Sequence, residues 1–134
     1  LGDVYKRQTL SWLPVLFFLL PKFYGRTLHK LVSFTQHAGL ARNIKDHRYT
    51  TREMYLNPIL SFLYWKMEYH VTHHMFPTVP SYNLDKLHDH IKDQLPRTND
   101  GLIEAYREIL PAIMKQTEDS SYFFKKEVPE PQNV

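Results

Sequence analysis

Apolar and polar positions change their pattern several times along the chain. From Thr9 to Leu20 nearly every residue is apolar, Leu10, Trp12, Leu13 and Val15 through Leu20, broken by Ser11 and Pro14. A membrane-crossing helix takes about 20 such residues, so this run is about half of one. Two readings stay open: the surviving end of a spanning helix, a remnant over residues 9–26, or a buried core helix. Pro14 and Pro21 suit a membrane helix better than a regular soluble one. Lys22, Arg26 and Lys30 follow directly, which by the positive-inside rule sets the downstream chain in the cytoplasm. The membrane reading is preferred.

Thr27 to Leu40 reads as a helix, with Leu28, Leu31, Val32 and Phe34 apolar and Gly39 near its end. Arg42 to Glu53 is dense in charge and reads as a solvated loop. Asn57-Pro58 is a helix start, a capping residue followed by proline at the first helical position. That helix is predicted to run unbroken to about Met75 and to stop before Pro77. Ile59, Leu60, Leu63 and Met67 give it an apolar face, with Tyr64, Trp65 and Tyr69 placed for headgroup depth at a membrane surface. Asn83 is expected to cap a short amphipathic helix reaching Leu95, with Leu84, Leu87, Ile91 and Leu95 on one stripe. A further helix is predicted from Leu102 to Lys115, kinked at Pro111. After Thr117 the chain turns to Glu, Asp, Ser, Lys and Pro, and 118–134 reads as a disordered tail. The fold class is all-α.

Composition narrows the function. Hydrophobic residues make up 43% of the 134 positions, enough for a core. The net charge of +3 is small and dispersed, so nucleic acid is not expected as a partner, whereas a basic balance beside an apolar run suits a lipid bilayer. With no cysteine, disulfides, thiolate zinc sites and cysteine-held iron-sulfur clusters are excluded from within the chain. The chain opens on Leu1, and Leu1 to Gln8 looks like translated sequencing adapter. These eight residues are set aside as an assembly scar.

The chemistry concentrates in Glu68-Tyr69-His70-Val71-Thr72-His73-His74-Met75-Phe76-Pro77. On a helix, positions i, i+3 and i+4 share a face, so His70, His73 and His74 project together. Imidazoles so placed bind a transition metal when neutral and when another element closes the coordination sphere; otherwise hydrogen bonds satisfy them. Val71 and Thr72 stand where a zinc protease motif carries glutamate. All-imidazole ligation suits oxygen-activating iron or copper, or hydrolytic zinc.

That stretch, followed by Pro80, Leu84, Leu87 and His88, resembles the third histidine box of membrane-bound fatty acid desaturases. Gln36-His37-Ala38-Gly39-Leu40, with Asp46-His47-Arg48, Thr51-Arg52 and Asn57-Pro58, is similar to the region preceding that box. The resemblance spans about residues 20 to 115 and makes 27–117 the C-terminal part of a desaturase domain. It implies an integral membrane protein with a cytoplasmic helical cap, its metal site and C-terminus on the cytoplasmic side. It also implies two non-haem Fe ions, a fatty acyl substrate, and an electron donor such as a ferredoxin or b-type cytochrome. Carried over by position, His37, His70, His73 and His74 are the metal ligands, and His29, His47, His88 and His90 are left out of the ligand set. The first two histidine boxes of the family are absent from the sequence. The chain as written is therefore expected to be a C-terminal fragment that cannot assemble the iron pair. A hydroxylase of the same superfamily is the nearest alternative; a non-enzymatic helical membrane-surface protein with a structural metal site is another.

Overall fold

The computed structural model describes residues 12–13 and 15–129. By contacts the chain divides into two compact units, Leu1–Leu31 and Val32–Val134. The proposed scar over 1–8 lies outside the described residues, as do 9–11 and Pro14 of the apolar run.

The first unit carries a π-helical stretch, Val15–Leu19, with no buried residue, leading into α1, Leu20–His37. Among the described residues no helix is long and apolar enough to cross a membrane. The span expected over 9–26 is therefore not drawn by its described part. There Lys22 and Arg26 follow the apolar residues within the first two turns of α1. Pro21 sits in the first turn, where a missing N–H costs nothing.

In the second unit α1 ends at His37 because Gly39 turns to φ +73, the left-handed conformation that closes helix C-termini. The same glycine lets this end approach α6, Gly101–Glu118: a Cβ on Gly39 would stand 2.9 Å from that of Ala112. The segment that follows departs from the solvated-loop expectation. Asp46 caps a single turn, α2, His47–Thr50, its carboxylate accepting from the Arg48 N–H at 3.0 Å. Thr51, Arg52, Glu53 and Met54 are then buried. Arg52 donates to the carbonyls of Thr35 (2.7 Å) and Ala38 (3.1 Å), with Glu108 3.3 Å away. A charged side chain stays inside when partners satisfy it, and these partners are distant in sequence.

Met54 joins Ala105 and Ile109 at the centre of the core, with Ala38, Leu56, Leu102 and Ile113 packed round them. Met54 also bridges Asn99 in parallel; among the described residues this is the extent of strand-like pairing. The fold is all-α, as expected.

Asn57 caps α3, Pro58–Leu63, as its sequence predicts, accepting from the Leu60 N–H at 2.9 Å. The helix does not continue to Met75. Trp65 and Lys66 take φ +58 and +55, a conformation that costs an L residue about 1–2 kcal/mol. Two interactions offset that cost: Lys66 pairs with Asp85, and Gln36 donates to the Met67 carbonyl at 2.8 Å. The histidine stretch consequently begins its own helix, α4, His70–Met75. Asn83 stands at the N-cap position of the next helix, as expected, but its side chain makes no capping hydrogen bond there. It ends a 3₁₀ turn, Ser81–Asn83, that runs straight into α5, Leu84–Ile91, where Leu84 and His88 are buried.

The tail also departs from expectation over 119–129. Phe124 N–H donates to the Gly39 carbonyl (2.8 Å), Lys126 Nζ to that of Thr51 (3.2 Å), and Arg48 Nη1 to that of Pro129 (3.3 Å). These bonds lay the segment along the body as a strap.

Candidate metal centre

The end of α1 delivers His37 to the first turn of α4. His37 Nδ1 lies 3.1 Å from the Thr50 carbonyl, which can only accept, so Nδ1 carries the proton and Nε2 presents a lone pair. His70 Nε2 stands 3.0 Å from His37 Nε2 and 3.1 Å from His74 Nε2. The ligand atoms of all three lie within 4.8 Å of one another. Their rings meet at 77°, 89° and 81°, nearly perpendicular planes pointing nitrogens at one place. One proton on His70 could bridge to one neighbour, not to both. A cation accepts all three lone pairs, and nitrogens bound at right angles at about 2.1 Å stand about 3.0 Å apart. The donor set fits a first-row transition ion.

Burial supports the neutral forms that ligation needs. Desolvation, with His74, His37 and His73 nearby, pushes the His70 imidazolium down to about 3. Burial and then His37, His47 and His73 lower His74 as well.

The four sequence-assigned ligands are not placed alike. His37, His70 and His74 come together, whereas the His73 ring centre lies 6.0 Å from that of His70 and 5.9 Å from that of His74. His47 comes close from α2, its ring 5.0 Å from His74. His90 turns back to the Lys86 carbonyl at 2.7 Å, and His29 lies in the first unit.

Sequence reasoning missed Glu53 and its contact with His88. Both are buried, with His88 Nδ1 2.8 Å from Glu53 Oε2. Glu53 Oε1 accepts from the Thr72 N–H at 2.6 Å, between the two ligands of α4. No local signal marks this, because the bond joins residues 19 apart.

Compared with known families, residues 8–106 match the fatty acid desaturases. The chain belongs to that family. No characterised protein and no solved structure matched it. The matched stretch of this desaturase-family chain contains His37, His70, His73 and His74, and it stops short of the strap at 119–129.

Proposed function

We propose that this desaturase-family chain forms one wall of a di-iron centre that introduces a double bond into a fatty acyl chain with dioxygen, at a lipid bilayer, with the metal site and C-terminus on its cytoplasmic side. The observation that carries the reading is the convergence of three imidazole Nε2 atoms inside the family match. Iron held there would activate dioxygen, the oxidant that takes hydrogen from an unactivated methylene.

The chain's own residues prepare the site. Thr50 fixes the His37 tautomer through its carbonyl, and burial keeps His70 and His74 neutral. Such second partners of ligating histidines set ring orientation and basicity. The sequence holds no nucleotide-cofactor fingerprint, so electrons come from a separate donor such as a ferredoxin or b-type cytochrome.

Three donors serve one ion. A pair needs more, with His73 assigned as the fourth donor from this chain. By itself the chain therefore holds one iron and does not desaturate.

Anaerobic Fe(II) titration with elemental analysis, followed by mass spectrometry of acyl products, tests this. One iron per chain is expected, lost in His70→Ala and His74→Ala and kept in His73→Ala. Two tightly held irons with a desaturated product from the chain alone would overturn the single-ion reading, and failure to bind iron would overturn the three-histidine site.

A further inference from the structure

We infer that the buried Glu53–His88 pair is a positioning unit that sets the register between the His37-bearing end of α1 and the His70/His74 face of α4. The inference rests on the three-histidine reading of the site. Its basis is the strip Arg52–Met54, which is hydrogen-bonded to both ligand-bearing elements. Arg52 N–H donates to the carbonyl of Gln36, next to His37, at 2.8 Å. Met54 N–H reaches the carbonyl of Glu68, two residues before His70, at 3.4 Å. Between them the Glu53 carbonyl accepts from the Asn99 N–H at 3.0 Å, so the backbone of Glu53 is held on its other side too.

From this fixed base the Glu53 carboxylate points both ways. Oε1 takes the Thr72 N–H at 2.6 Å, in the first turn of α4, where backbone N–H groups have no partner within the helix. Oε2 stands 2.8 Å from His88 Nδ1, and His88 Nε2 is 3.3 Å from the Tyr55 hydroxyl. The His88 ring also lies 4.9 Å from that of Tyr69, the residue preceding His70. Glu53 and His88 are 2% and 1% exposed. An apolar pair would fill this volume without the cost of desolvating two polar groups. What the polar pair adds is direction: a short hydrogen bond from the Thr72 amide, midway between His70 and His74, to a carboxylate oxygen. Neither residue touches the metal position; they act through α4.

The test uses the full 134-residue chain and Co(II) alone as the probe, read by its visible ligand-field bands. Glu53→Gln keeps an acceptor for Thr72 and loses the carboxylate; His88→Gln removes the imidazole that stands beside Oε2. Partners of metal-bound histidines typically change affinity by about 10–100-fold, and a loss in that range with shifted Co(II) bands is expected for both variants. Faster exchange of the Thr72 amide is expected in Glu53→Gln. Ile109→Val, a core change at a residue with no exposure, supplies the control: it lowers thermal stability and leaves Co(II) affinity and bands unchanged. If Glu53→Gln unfolds by circular dichroism, His88→Gln decides. Folded variants binding Co(II) within about twofold of wild type, against the expected range, overturn the positioning role alone. A wild-type chain that binds no Co(II) overturns the site on which it rests.

Discussion

His70 faces two other imidazoles from a position that is 8% exposed, and that has a consequence before any metal arrives. Its ordinary value of 6.5 falls to about 3 in the folded chain, first through burial. Between these values the unfolded chain takes up a proton that the folded chain refuses, so stability is lost as pH falls from about 6.5 toward 3. For a shift of this size the loss reaches about 2 kcal/mol by pH 5, and the lowered His74 adds in the same direction. Urea midpoints of the metal-free chain at pH 7.5 and pH 5 check this. The midpoint should drop on acidification, and the drop should shrink in His70→Leu; equal midpoints at the two pH values would contradict it. The same residue shows how much of the site was legible. A helical repeat places i+4 about 40° from i, and i+3 about 60° away on the other side. Counting residues therefore groups His70, His73 and His74, while a neighbour approaching from one side selects His70 with His74. The side from which His37 approaches is set by the end of α1, which local spacing does not encode.

At the scale of elements, what local residues dictate was readable and what distant partners dictate was not. Asn57-Pro58 announces α3 because the cap and the proline act within one turn. The break at Trp65 and Lys66 is silent in the sequence, since Asp85 and Gln36, distant in the chain, offset its strain. Arg52 and Glu53 read as solvated for the same reason. The strap at 119–129 was misread through its polar composition, because backbone bonds and one long amine hold it where apolar area does not. That amine gives a prediction. Burial, then the neighbouring Arg52 charge, pushes Lys126 from 10.5 down to about 8, against a weaker pull from Glu108 and Glu53. Between about pH 8 and 10.5 the unfolded chain binds the proton more than the folded chain does, so stability climbs with pH across that window. Urea midpoints between pH 7.5 and pH 9.5 should rise in the wild type and stay flat in Lys126→Met. A wild type as flat as the variant would mean that the amine is solvated and the strap stands off the body.

At the scale of the whole molecule, the all-α class follows from repeating apolar spacing, and the family from two motifs that the fold brings together at His37 and α4. The surface poses a separate question. Ile59, Phe62 and Trp65, 73%, 79% and 74% exposed, stand out from α3 and the break that follows it. Beside them lies a groove of ≈ 600 Å³ lined by Leu56, Phe62, Leu63, Trp65 and Tyr82. Burying one such side chain is worth about 1.5–3 kcal/mol, so a cluster left in water is costly and a cluster inserted among acyl chains is a strong anchor. Aromatic side chains with a polar edge sit well at headgroup depth, and Lys66 stands beside them with its charge paired to Asp85. The expected outcome is that the chain sediments with neutral phosphatidylcholine vesicles. In a Trp12→Phe background, Trp65 emission should shift to the blue as lipid is added. Phe62→Ser combined with Ile59→Ser should return most of the chain to the supernatant while the α4 histidines still bind Co(II), separating membrane contact from metal binding. Unchanged Trp65 emission, with the chain left in solution, would remove the bilayer as the partner of this face.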